Sequence, residues 1–216
     1  MTFCHRVRHR GAFGRLGALG RNVFGSLVGM FAFVVLDREA QNLTLVRDAF
    51  GIKPLFVSVS DRGLCFASEL PAALKLVGGA VRLNHQRAYD YLVHGDYDTQ
   101  ATSFVEGVSQ LAPGHYQEYD LRTHTLGVEH KWGNPSVQQT SDLSFQQAAD
   151  ELRERFLQSV RYHLRSDVPL GTALSGGVDS SAVGVRYSAC EPQAPVHTFS
   201  FWLRAPLFLK RSGLIW

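Results

Sequence analysis

Cysteine is scarce and unpatterned. The chain of 216 residues holds three, Cys4, Cys65 and Cys190. An odd number without metal-ligand spacing excludes a disulfide framework and a zinc site, and it suits a reducing cytoplasm. A membrane-spanning run is missing too: the apolar stretch Val23–Leu36 is too short to cross a bilayer, so no membrane partner is expected. Acidic residues are absent before Asp37, while Arg6, Arg8, Arg10, Arg15 and Arg21 make that start basic. Such a start fits a targeting peptide, but it runs directly into a core-strand pattern, which favours an irregular leader. The net charge of +3 is too small to indicate nucleic acid as a partner. His94, His115, His124, His130, His163 and His197 are scattered without ligand spacing.

What is present is the composition of a soluble globular protein, 45% hydrophobic and 19% charged, at a length sufficient for one large domain or two small ones. From residue 28 onward apolar runs alternate with turn signals. Val28–Leu36 and Leu43–Val46 flank a polar turn, and Pro54–Val59 and Leu64–Ala67 flank Ser-Asp-Arg-Gly, in the manner of an antiparallel meander. Glu69–Val77 and Asn84–Val93 read as helices, with Pro71 tolerated in the first turn of the former. His115–Leu121 and Leu126–Trp132 suggest one more hairpin. The polar, aperiodic stretch Asn134–Ser144 then marks a linker. Beyond it, Ala148, Leu152, Phe156, Val160 and Leu164 line one face of a helix. Val168–Leu174, Asp179–Ala189 and Val196–Phe201 follow as strand, helix and strand, a βαβ unit whose ligand belongs at the carboxyl end of its first strand.

That end carries Ser175-Gly-Gly-Val-Asp-Ser. Two glycines allow a sharp bend and close approach to a ligand, and amides opening onto a helix N-terminus cradle an anion. Ser175, Ser180 and Ser181 add hydroxyls, and Asp179 can hold magnesium against phosphate oxygens. The lysine and spacing of GxxxxGK[ST] are missing, so this is not a Walker A loop. It resembles the SGGxDS loop of the N-type ATP pyrophosphatases, which cleave ATP between the α- and β-phosphates.

Further motifs extend the resemblance. Gly29-Met-Phe-Ala-Phe, Arg47-Asp with Gly51-Ile-Lys-Pro-Leu, Phe66-Ala-Ser-Glu, Phe104-Val-Glu-Gly-Val, Pro113-Gly-His and the stretch Arg165–Ser181 occur in this order. Together, over roughly residues 27–202, they resemble the glutamine-hydrolysing asparagine synthetases. The resemblance implies α+β followed by α/β: part of an Ntn-type αββα class II glutaminase domain at 27–133, a linker at 134–144, and at 145–216 the start of a parallel-sheet, HUP-like ATP pyrophosphatase domain. Residues 1–26 remain as the basic leader. It implies glutamine, aspartate and ATP as substrates, magnesium as cofactor, a cytoplasmic enzyme, and a homodimer as in the family. ATP would adenylate aspartate, and ammonia from glutamine would displace AMP. By motif position, Ser175, Gly176, Gly177, Asp179 and Ser180 would bind pyrophosphate, with Asp179 on the metal. Leu174 and Phe201 match positions that touch the nucleotide.

The chain departs from the family at both ends. Members begin Met-Cys-Gly, whereas this sequence begins Met1-Thr2-Phe3-Cys4. An internal cysteine has no α-amine to activate it, so no catalytic residue is assigned to Cys4, and the context of Thr2 matches nothing in the glutaminase. His9-Arg10-Gly11 echoes an HRGPD segment, yet fewer than twenty residues separate it from Gly29 where the family has the groups that bind glutamine. Arg204–Trp216 fits no element. These departures lead to the expectation of a fragment or frameshifted reading frame with impaired activity. A β-lactam synthetase-like adenylating enzyme and an inactive nucleotide-binding fragment are the alternatives.

Overall fold

The computed structural model describes residues 20–97, 99–133, 142–164, 166, 168–190 and 197–200, and of the segments 20–22 and 188–190 the backbone alone. The chain divides into two compact units, Met1–Val137 and Gln138–Trp216. Thr2, Cys4, the His9-Arg10-Gly11 segment, most of the 134–144 linker, Phe201 and Arg204–Trp216 lie outside the described residues.

The first unit begins with an antiparallel hairpin of β1 (Ala32–Asp37) and β2 (Asn42–Arg47). Asp37 builds its turn: the carboxylate accepts from the Glu39 and Ala40 amides at 3.0 and 2.9 Å. The strand expected from Val28 starts only at Ala32, because Gly29 sits at φ +142° and breaks the extended run, leaving Val28 exposed. β3 (Phe56–Ser60) and β4 (Gly63–Ala67) pair around Asp61-Arg62, with Gly63 at φ +111°. β5 (Ser109–Gln110) joins β3 on its other edge. β6 (His115–Asp120) pairs with β2, and its expected return strand is split into β7 (Thr125–Leu126) and β8 (His130–Lys131). Tyr119 faces Leu126 while Tyr116 faces His130, so the returning chain carries one extra residue, a bulge.

Two sheets result, ordered β1-β2-β6-β7 with β8 also on β6, and β4-β3-β5. Alternation along β2 buries both faces of the first sheet. Leu45 packs with Leu55, Val57, Leu111 and Tyr119, a core that joins the two sheets. Val46 points the other way, into a layer of Phe31, Phe33, Tyr116 and Trp132. Covering that layer is a 3₁₀ segment, Gly20–Ser26, whose Val23 and Phe24 are 1% and 0% exposed. The packed unit therefore extends back past residue 27 into the expected leader. An aromatic sheet face left open to water would be costly, at about 1.5–3 kcal/mol per large side chain, and Phe24 closes it, 5.4 Å from the Tyr116 ring.

Helix α1 (Leu70–Val77) packs on β3 and β4 and buries Ala73. Helix α2 (His85–His94) starts at Asn84, whose side chain accepts from the Arg87 amide at 3.2 Å, and ends at Gly95 in a left-handed conformation.

The second unit opens with α3 (Phe145–His163), held at its start by a reciprocal capping box between Ser144 and Gln147. Its apolar stripe is present but only partly covered: Val160 is buried, Phe156 and Leu164 are half-buried, and Ala148 and Leu152 are exposed. β9 (Gly171–Ala173), α4 (Val178–Cys190) and β10 (His197–Phe199) complete the description, with β10 parallel to β9 as the βαβ reading requires. Both strands are shorter than their apolar runs. Among the described residues no helix is long and apolar enough to cross a membrane.

Candidate functional site

The loop between β9 and α4 holds the candidate site. The Leu174 amide extends the pairing beyond β9, donating to the Phe199 carbonyl at 2.8 Å. Gly171 permits this close pairing, since a Cβ there would stand 2.5 Å from the Phe199 ring. On the helix side, Gly184 brings α4 down onto the strand: its missing Cβ would lie 3.5 Å from the Leu174 side chain and 3.6 Å from that of Thr172. Leu174 is thus held from both sides at the point where the strand becomes the loop.

Gly176 turns the chain at φ +79°, a conformation that disfavours side chains. Ser175, Gly176, Gly177 and Asp179 are exposed, and Ser180 and Leu174 are half-buried. The hydroxyls converge. The Ser175 and Ser180 Oγ atoms lie 3.0 Å apart, and Ser180 Oγ accepts the Ser175 amide at 3.3 Å. The Gly177 carbonyl accepts from Ser180 Oγ at 3.1 Å and from Ser181 Oγ at 2.9 Å. Asp179 stands in the first turn of α4, where the helix dipole favours an anion. Amides, three hydroxyls and one carboxylate therefore surround a single exposed turn. Two residues without Cβ leave room for a large anion to reach the backbone, and the carboxylate supplies a hard oxygen for a divalent cation. This donor set fits a magnesium-bound polyphosphate. Six of the seven residues expected here from the sequence occupy this turn, and Phe201 is outside the described residues.

Arg47, Asp48 and Lys53 form a structural knot. The Asp48 carboxylate, 1% exposed, accepts from the amides of Phe31, Phe50, Ile52 and Lys53 at 3.0 to 3.3 Å. Arg47 donates to the carbonyls of Leu111, Gly51 and Lys53 at 2.6, 2.7 and 3.0 Å. Gly51, at φ +65°, has no space for a side chain because Pro113 lies 2.8 Å from where a Cβ would be. These bonds make the segment a tightly held turn after β2.

Two residues escaped sequence reasoning. Arg87, 1% exposed, pairs with Asp96 at 3.1 Å and Asp90 at 3.5 Å, donates to the Tyr97 carbonyl at 3.0 Å, and lies over the Phe104 ring. Its signal would have been the acids at i+3 and nine residues on. Ser200 Oγ donates to the Leu174 carbonyl at 2.9 Å, a contact no local pattern announces.

A family model described as glutamine amidotransferase domain matches residues 14–132, and one described as asparagine synthase matches residues 151–208. The first spans more than half of the chain, which therefore belongs to the glutamine amidotransferase domain family. Individual relatives narrow the likeness. The chain is 33% identical over 182 residues to glutamine-hydrolysing asparagine synthetase 2 of Bacillus subtilis, covering 81% of this chain and 24% of that protein. It is 34% identical over 167 residues to amidase chry2 of Gibberella zeae, covering 76% and 24%. With a putative glutamine-hydrolysing asparagine synthetase of Mycobacterium tuberculosis the identity is 31% over 188 residues, covering 84% and 28%. The chain spans about a quarter of the length of these relatives.

Proposed function

We propose that this chain is an asparagine synthetase-type ligase component that binds ATP at the loop between β9 and α4. In this reading, ATP activates the aspartate side chain as aspartyl-AMP, and ammonia derived from glutamine completes the amidation. The observation that carries it is the convergence of Ser175, Gly176, Gly177, Asp179 and Ser180 on one exposed turn at a strand's carboxyl end, in a chain that also carries a glutamine amidotransferase domain. The amides of 175–177 and the serine hydroxyls would hold the leaving pyrophosphate, stabilising the charge it gains as the bond to the α-phosphorus breaks. Asp179 would hold magnesium, which when bound supplies further neutralisation of that charge. Leu174 would border the nucleotide, with Phe201 near the adenine.

The finer architecture belongs to the same proposal. The two stacked sheets with α1 on the outer face of one would be part of an Ntn-type αββα glutaminase fold. The βαβ unit would begin a HUP-like sheet, with the domains divided within 134–144. Homodimerisation and a cytoplasmic location accompany this reading.

Aspartate-dependent release of pyrophosphate from Mg-ATP tests it, with ammonium and glutamine supplied in separate arms. Release that requires aspartate and disappears in Asp179→Asn supports the reading. Absence of release in both arms, together with no saturable Mg-ATP binding, overturns it.

A further inference from the structure

We propose that Ser200 is a positioning residue for the phosphate cradle, acting through the Leu174–Ser175 peptide; this rests on the nucleotide reading above. A trans peptide is planar, so its carbonyl and the following N–H point in opposite directions. The Leu174 carbonyl accepts the Ser200 hydroxyl at 2.9 Å and is thereby fixed toward the segment that leaves β10. The N–H of the same peptide belongs to Ser175. It must then point away from β10 and into the loop, and there it meets Ser180 Oγ at 3.3 Å. Ser200 thus aims the first amide of the cradle without touching its ligand.

The geometry around Leu174 leaves this hydroxyl a specific task. The Leu174 amide is already tied to the Phe199 carbonyl, and its side chain is set against α4 at Gly184. Neither attachment determines the rotation of the peptide that follows; the shorter Ser200 bond at its carbonyl does so, with the Ser180 bond at its amide in agreement. A hydrogen bond at the carbonyl also polarises the amide, strengthening its N–H as a donor. From Ser200 the bonds run through the Leu174–Ser175 peptide to Ser180 Oγ and on to the Gly177 carbonyl, linking the second strand to the start of α4. An oxygen of a bound phosphate could take the place of Ser180 Oγ as acceptor of the Ser175 amide with no reorientation of that peptide.

Titration of the full 216-residue chain with Mg-ATP and with magnesium pyrophosphate, compared with Ser200→Ala and Ser200→Thr, tests the assignment. Ser200→Ala should weaken both ligands about five-fold, the effect of losing one oriented hydrogen bond. The ligand-free melting temperature should stay unchanged, and Ser200→Thr, which keeps the hydroxyl, should restore binding. Equal affinity of wild type and Ser200→Ala would overturn the positioning role while leaving the nucleotide site standing. A lowered ligand-free melting temperature with no recovery in Ser200→Thr would assign Ser200 to folding alone. No saturable binding by the wild type would remove both the role and the site.

Discussion

Asp48 serves the backbone as an internal ligand, with its two oxygens gathering amides from Phe31 before the β1–β2 hairpin and from the loop after β2. Alanine there would strip these part-buried amides of their shared carboxylate acceptor. Asp48→Ala should cost about 3 kcal/mol or more, with Asp48→Asn intermediate because it keeps one acceptor. Urea unfolding measures this, and an Asp48→Ala midpoint indistinguishable from wild type would refute it. The motif was visible in the sequence, but its buried carboxylate was not, because Phe31 and Gly114, which bond Asp48, come from distant sequence. Asp120 presents a solvent-exposed contrast. The Arg122 guanidinium first, then the amides of Arg122 and Thr123, hold its carboxyl at about 2, below the ordinary value. A depressed carboxyl stabilises the fold above the unfolded value of about 4 and loses that contribution as pH falls toward 2. Melting temperature should therefore fall more steeply between pH 4 and 2 in wild type than in Asp120→Asn. Added salt should narrow the difference, since both side chains face water. Parallel curves at low salt would show that the pair does not contribute.

Elements whose sequence carried a clear period emerged in the expected places, and the exceptions have local causes. β1 was shortened by one glycine at positive φ, and the strand after β6 was divided by one extra residue. Those events depend on register, which alternation alone does not report. Helix α2 shows a different failure. Its sequence HQRAYDYLVH has ordinary amphipathic lettering, yet the buried side chain in it is Arg87. Arg87 fastens the helix to the loop that follows, bonding Asp96 and the Tyr97 carbonyl. The Asp96 carboxyl is held below its ordinary value, first by the Thr99 hydroxyl and then by Arg87, against a smaller cost of desolvation than their sum. Arg87→Met keeps an unbranched apolar stem but removes these bonds. It should destabilise the first unit by about 2–3 kcal/mol and speed amide exchange in the loop after α2. Unchanged exchange there would mean the loop is held by its aromatic contacts among Tyr91, Tyr97 and Phe104 instead.

The two units differ in how much they bury. Among the described residues, the first contains Leu45, Val46, Leu55, Val57, Leu111 and Tyr119 at near-complete burial, whereas the buried apolar side chains of the second are Val160 and Tyr187. The hairpins were legible because apolar runs alternate with turn signals, whereas their division into two packed sheets depends on long-range pairing. The 3₁₀ cover was not, since Gly20–Ser26 is too short to show a period. The candidate site was legible for the opposite reason: its donors are contiguous in sequence, while the supporting Ser200, among the described residues, comes from elsewhere. A thinly packed unit opens at low free energy, and a ligand that binds its native form stabilises it by about 2.7 kcal/mol at a hundred times its Kd. Hydrogen exchange should accordingly show faster amides in β9 and α4 than in β2 and β6 without ligand. Saturating Mg-ATP should then slow the amides of the second unit, most strongly around 174–181, and leave β2 and β6 unchanged. Protection appearing first in β2 and β6 would place the nucleotide on the wrong unit. Equal exchange in both units before ligand is added would show that burial of a few side chains does not set the stability of the second.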